Sequence, residues 1–368
     1  MAYKQTNDDR IYYNVNMANP LPNSNNTIFN AIFQEELNQA ILNTPEDYFL
    51  SIIRFTIPTI NIPLLIPQIQ PFPNVDINKT IYSFTLSYEE NVSPETFLEF
   101  VSENPSVYVP PISATSPNVT KTPYYFLYTY TSFVNMMNVA LATAFAAIPG
   151  GAPAGALAPY FQYEIGEEHI SLVAQVAYYD QTLANPIKIF SNYPMFTFLD
   201  GLLIIENNNL PPNQVAQYIV QNNHNNFYNP SYVTPVYPPL YYIMTQQYAT
   251  LVDWNVFKSI VLVSNLLPVR QEYLPGVAGS NQSIVNSKGI LQDFQPILVE
   301  GPEARTTIQY SVQGPYQCIN MFGKNALRTI DVSVYWLDQF GDQYLLTIPF
   351  NQVLTIKMLF IKRSTYSS

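Results

Sequence analysis

Apolar and polar residues alternate along this chain in short runs punctuated by proline. The 31 prolines leave apolar stretches too short for a helical bundle and of strand length. In "IYSFTLSY", Tyr82, Phe84, Leu86 and Tyr88 point one way and Ser83, Thr85 and Ser87 the other, which predicts a half-exposed strand. The same period of two groups Ile170, Leu172, Val176 and Tyr178, then Ile308, Tyr310 and Val312, then Ile330, Val332, Val334 and Trp336. Apolar runs without alternation, at 48–58, 196–205 and 257–263, predict strands buried on both faces, and a last strand is expected over 353–361. Pro58 ends the first of these.

About eight strands separated by long intervals predict a mainly β protein with the crossings of a Greek-key sandwich or jelly roll. Three intervals carry helical signals. Ser93 followed by Pro94 and Glu95 predicts a short helix towards Glu103. Phe133, Met137, Leu141, Ala144 and Ile148 share one helical face, which "PGGAPAG" then stops. A weaker helix is expected over 213–222. Turn residues and isolated aromatics before residue 45 predict an N-terminal arm, although Ile28, Phe29, Ile32, Phe33 and Ile41 also fit a helix after Thr27.

Composition narrows the function. Only 11% of residues are charged, so a polar but uncharged surface suits extensive subunit contact. A net charge of -11 opposes direct nucleic-acid binding. The single cysteine, Cys318, permits no internal disulfide and no thiolate metal site, and the first residues lack an apolar signal core. Synthesis inside a cell is therefore expected, with the sequons at Asn25, Asn78, Asn91, Asn118 and Asn281 as chance products of an Asn-rich chain. The most apolar segment, "FVNMMNVALATAFAAI", is too short for a bilayer and carries Asn135, Asn138 and Thr143, so no membrane span is expected.

No catalytic constellation emerges, and no catalytic residue, cofactor or metal site is expected. His169 in "GEEHISL" and His224 in "NNHNN" have no second ligand at metal spacing and read as strand-margin and loop residues. Glu89 with Glu90, and Glu167 with Glu168, are adjacent pairs that read as solvated charge. "PGGAPAG" follows a helix and lacks the Lys and Ser of a phosphate loop. The Tyr-rich "NPSYVTPVYPPLYY" could stack sugar rings, though self-packing is the commoner use of such loops. Cys318, with no His nearby in the sequence, reads as a small core residue. Arg54 stands among Ile and Phe in a strand expected to be buried, so an internal ion pair or a subunit contact is expected of it. Breaking such a buried pair costs ~3–5 kcal/mol.

Four phrases, in order, carry a resemblance: "YFLSIIRFTIPTINIPLLIP", "SIVLVSNLLPVRQEYLPG", "GILQDFQP" and "RTIDVSVYWLDQFGDQYLLTIPFNQVLTIKMLFIKR". Together they resemble the penton, or vertex, capsid proteins of virophages and polinton-like DNA viruses. The resemblance implies a single jelly-roll β-sandwich. Five copies would close an icosahedral vertex in the virion beside trimeric hexons, with the inserted segments free to meet a host receptor or glycan. The expected organisation is an arm over 1–45, a jelly roll over 46–362 with insertions at about 89–160 and 206–245, and a tail over 363–368. Arg54, Pro58, Asp338, Gly341 and Pro349 are the candidate structural or interface residues, with residues 329–362 expected to form a hairpin of wall strands, Asp338 and Gly341 in its turn and Pro349 at a sheet edge or bulge. The alternatives are another minor jelly-roll capsid protein and, in a different class, a carbohydrate-binding β-sandwich acting as a host-recognition lectin.

Overall fold

The computed structural model describes residues 9–20, 29–71, 76–103, 122–164, 169–205, 210–221, 241–270, 272–274, 286–295, 307–312 and 316–366. The chain forms two compact units, one made of Met1–Ile62 with Val256–Ser368 and the other of Pro63–Asn255.

The first unit is built on eight principal strands: β1 (Arg10–Ala18), β2 (Ile32–Glu36), β3 (Tyr48–Pro58), β4 (Phe257–Ser264), β5 (Asn286–Phe294), β6 (Thr307–Ser311), β7 (Thr329–Asp338) and β8 (Val353–Lys362). One antiparallel sheet has the order β1-β8-β3-β6, and the other contains β5-β4-β7 with β2 on the far side of β7. The chain crosses between sheets at β1 to β2, β2 to β3, β3 to β4, β5 to β6, β6 to β7 and β7 to β8. That is the jelly roll expected from the long crossings. Alternation sets the inner faces. Val15 and Met17 of β1, Leu50, Ile52, Phe55 and Ile57 of β3, and Leu354, Ile356, Met358 and Phe360 of β8 are all buried. In the other sheet, Ile330, Val332, Val334 and Trp336 of β7 are buried beside Ile260 and Leu262 of β4. Val261, Val263 and Leu337 are buried too, in a separate apolar cluster, so β4 is covered on both faces as its continuous apolar run predicts.

The N-terminal 45 residues do more than form an arm. β1 pairs with β8 over nine residues and β2 with β7 over five, so this segment supplies two of the eight strands. The alternation of β1 is present in the sequence, with Ile11, Tyr13, Val15 and Met17 on one side and Arg10, Asn14 and Asn16 on the other, and only Tyr12 and Ala18 on the outer side blur it. The tail is also ordered at its start: Arg363–Tyr366 is a helical turn, and the Arg363 guanidinium donates to the Met321 carbonyl (3.0 Å) and lies over the Phe49 ring.

The second unit, 63–255, interrupts the sandwich once, between β3 and β4, in place of two insertions at 89–160 and 206–245. A sheet with the order Ile204–Ile205, Ala216–Tyr218, Lys188–Ser191, Lys79–Tyr88 and Asn91–Val92, to which Thr96–Glu99 adds, accompanies a three-stranded sheet of Tyr241–Thr245, His169–Gln175 and Tyr160–Glu164. The helix Tyr130–Ala146 contacts strands of both sheets and buries Phe133, Met137, Leu141 and Ala144, the stripe read from the sequence. Thr129 caps it, and the Glu103 carboxylate accepts from the Tyr128 and Thr129 amides and from the Thr129 and Ser132 hydroxyls. Asn138, polar within this apolar segment, donates to the Phe161 carbonyl and accepts from its amide, which fixes the helix to the strand Tyr160–Glu164.

Several local expectations fail here. Val176 and Tyr178 do not extend the strand face of Ile170 and Leu172, because the strand ends at Gln175 and Val176–Tyr179 is a helical turn. Ser93 caps no helix; its hydroxyl accepts from the Leu86 amide in a hairpin joining Lys79–Tyr88 to Asn91–Val92 and Thr96–Glu99. The run 196–205 begins in the helix Tyr193–Leu199, capped by Asn192, and passes through a turn to the two-residue strand Ile204–Ile205. The expected helix at 213–222 contains instead the strand Ala216–Tyr218.

Candidate functional site

Each candidate residue lies in the sandwich, and together they mark its strand ends and one outer face. Pro58 is the buried last residue of β3, opposite Thr307 of β6, and the chain leaves the sandwich just beyond it. Asp338 closes β7. Its carboxylate accepts from the amides of Phe340 and Asp342 (both 2.9 Å) and from the Tyr344 hydroxyl (3.2 Å). Gly341 adopts φ +81° and donates its amide to the Asp338 carbonyl, the reversal that favours glycine. Short strand Gln343–Leu345 then returns along β7, and Tyr344 stacks on Trp336 with ring centroids 4.1 Å apart.

Burial pushes the Asp338 carboxyl above its ordinary value, and the nearby Asp342 charge adds to this. The amides of Asp342 and Phe340 and the Tyr344 hydroxyl pull the other way. Tyr344 is raised in turn, by burial first and then by the Asp338 charge. This is a structural turn with its acceptors used inward.

β8 does not return beside β7. Pro349 opens a turn in which the Gln352 amide donates to the Pro349 carbonyl and Asn351 takes φ +58°, and the chain crosses there to the opposite sheet. Pro349 is thus a crossing residue and not a sheet-edge one. The turn uses only the Pro349 carbonyl, so the hydrogen its ring nitrogen lacks is not needed there.

Arg54 is exposed, contrary to the buried position expected of it. The cause is a bulge: Lys357 pairs with Arg54 and Met358 with Ile52, so Ile53 is an extra residue. The inward set therefore passes from Leu50 and Ile52 to Phe55 and Ile57, and Arg54 turns outward. That change of parity is written in "LSIIRFTI" and was hidden by reading both faces as apolar. Lys357, a second lone cation in an apolar strand, was missed; it sits directly opposite Arg54, and its ammonium lies 4.9 Å from the Tyr12 ring centre.

Elsewhere, His169 opens the strand His169–Gln175, opposite Glu164. Cys318 is a half-buried free thiol beside a cleft of about 370 Å³ that Arg270, Gln292, Asp293 and Asn320 also line. No cluster of three metal-ligating side chains occurs among the described residues, and no described helix is long and apolar enough to cross a membrane. His224, Glu167 with Glu168, and the Tyr-rich run up to residue 240 lie outside the described residues.

Comparison with known proteins supplies what this geometry serves. The Sputnik minor capsid protein V18/19 family model matches residues 11–362. Structural protein V19 of Sputnik virophage is 45% identical over 205 residues, covering 55% of this chain and 94% of that protein. Uncharacterized protein V18 of the same virophage is 46% identical over 159 residues, covering 42% and 91%. A chain of the 3.5 Å cryo-EM structure of the Sputnik virophage superposes with a TM-score of 0.82 at 44% identity, covering 97% of this chain and 99% of that one. The crystal structure of the mavirus penton protein matches at a TM-score of 0.63 and 16% identity over 96% and 99%, a likeness of fold. V19 is a structural protein and the matching family is one of minor capsid proteins, and the chain is likewise a structural protein of the virion and not an enzyme. With its jelly roll matched almost end to end, the chain belongs to the Sputnik minor capsid protein V18/19 family.

Proposed function

We propose that five copies of this protein form the vertex of an icosahedral capsid, flanked by trimers of the major capsid protein. The observation that carries this reading is a single set of eight jelly-roll strands among the described residues. A subunit with two such sandwiches would need a second set of comparable strands. The penton protein of mavirus has the same fold over nearly its whole length, which supports the vertex in preference to another minor position. Cyclic closure uses heterologous contacts, one surface of a subunit against a different surface of its neighbour, and the exposed area around Arg54 together with the edge strand β2 offers both.

The unit 63–255 is proposed as the part that meets the outside, including a host receptor or glycan. It joins the sandwich through one interval, so it can diverge without disturbing the walls. Native mass spectrometry of the purified full chain tests the assembly: a species of five times the 41.8 kDa subunit is expected, and a monomer or trimer across the concentration range contradicts it.

A further inference from the structure

The outward face of the β1-β8-β3-β6 sheet carries charge of one sign. Outward positions on these strands hold Arg10, Arg54 and Lys357 and no carboxylate, in a chain with 26 acidic and 15 basic residues. Asp9 lies just before β1. Arg54 and Lys357 stand directly opposite each other, a juxtaposition that destabilises an isolated sheet. Attraction of the Lys357 ammonium to the Tyr12 ring on the next strand relieves part of the repulsion and leaves the guanidinium of Arg54 exposed, whereas Ser51, Leu359 and Ile361, further along the same side, are buried.

The opposite charge lies on a flank of the same sandwich. β2 is paired only to β7 among the described residues. Its last two residues, Glu35, which accepts from the Tyr13 hydroxyl, and Glu36, are exposed, as is Asp47 just before β3, so carboxylates outnumber the exposed Lys324 and Arg328 of the neighbouring segment. Face and flank point in different directions, which a closed ring of heterologous contacts requires. We propose that the cationic face around Arg54 and Lys357 receives the acidic β2 flank of a second copy, an inference that rests on the pentameric reading. The charge balance favours a second copy over nucleic acid: a chain at -11 repels phosphate overall and presents acid to its own copies.

The test is charge reversal in the full chain. R54E/K357E and E36K/D47K should each weaken the ring about tenfold or more at low salt, with melting temperature unchanged, and the four changes combined should restore it. The neutral variant R54Q/K357Q should give a ring whose dissociation depends less on salt. A ring indifferent to both reversals, or a well-folded combination that fails to recover, overturns this contact and leaves the pentamer standing. A wild-type chain that forms no ring overturns both. Loss of binding to a DNA duplex in R54E/K357E, with the ring intact, would assign the face to nucleic acid and overturn the proposal as well.

Discussion

The jelly roll and the inserted unit use the same residues in different ways. In the sandwich the long strands β1, β7 and β8, of nine or ten residues, carry a sustained alternation that fixes their inner faces, and β3 carries it in two halves separated by the bulge at Ile53. In the inserted unit most strands have two to five residues, and the core is made by a helix and interlocking aromatics. Tyr130, Phe133, Phe198 and Trp254 meet edge to face or tilted with ring centres 4.8 to 5.7 Å apart. Even its longest strand departs from the simple rule: Ser83, Thr85 and Ser87, opposite the apolar face of Lys79–Tyr88, are buried along with Phe84 and Leu86. Alternation therefore reports which chemistry shares a face, while exposure depends on what covers that face.

The largest expected effect breaks the sandwich. Truncation after Gly341 removes β8, which lies between β1 and β3 and contributes Leu354, Ile356, Met358 and Phe360 to the core. No soluble folded product should form, as judged by expression and circular dichroism, whereas removal of 364–368 should be tolerated because Arg363 and its bond to the Met321 carbonyl remain.

A core deletion in the inserted unit sharpens the comparison. Phe133 is fully buried on the helix Tyr130–Ala146, and Phe133→Ala should cost about 3–5 kcal/mol by chemical denaturation. If the two units unfold separately, an early transition should report the inserted unit while the sandwich transition keeps its midpoint.

Smaller effects are expected at the β7 turn. Asp338→Ala leaves the amides of Phe340 and Asp342 without their acceptor and should cost about 1–3 kcal/mol. Asp338→Asn keeps an oxygen for both amides and should cost less than about 1 kcal/mol. The sign with pH follows from the raised carboxyl. The folded state holds the Asp338 proton more tightly, so its contribution is complete below the unfolded value near ~3.9 and is lost as pH rises through the folded one. Thermal melts at several pH values should therefore show the Asn variant gaining on the native chain as pH rises.

The smallest effect is at Arg54. Because its side chain is exposed, Arg54→Met should change stability by no more than about 0.5 kcal/mol while lowering ring yield. A drop of several kcal/mol would return Arg54 to a buried pair.

The legible parts of the fold were those where local chemistry and tertiary context agree. β7 and β8 announce their inner faces, Gly341 and Asp338 announce a turn, and the stripe from Phe133 to Ala144 announces its helix. The missed parts have physical reasons. β2 is too short to establish a period in "IFQEE", and its pairing with β7 spans nearly the whole chain. Met195, Phe196, Phe198 and Leu199 satisfy a two-sided strand as well as a helix, though Asn192 and Pro194 were the N-terminal signal that separates them. At the candidate site, Arg54 stood out as a lone cation, but its partner in charge, Lys357, became visible only through cross-strand register.

Cryo-EM reconstruction of the virion that carries this protein tests the central claim most directly. The account predicts five copies of the β1–β8 sandwich around each five-fold axis, with the Arg54 face of each against the β2 flank of the next. Density for this chain away from the five-fold axes would contradict it.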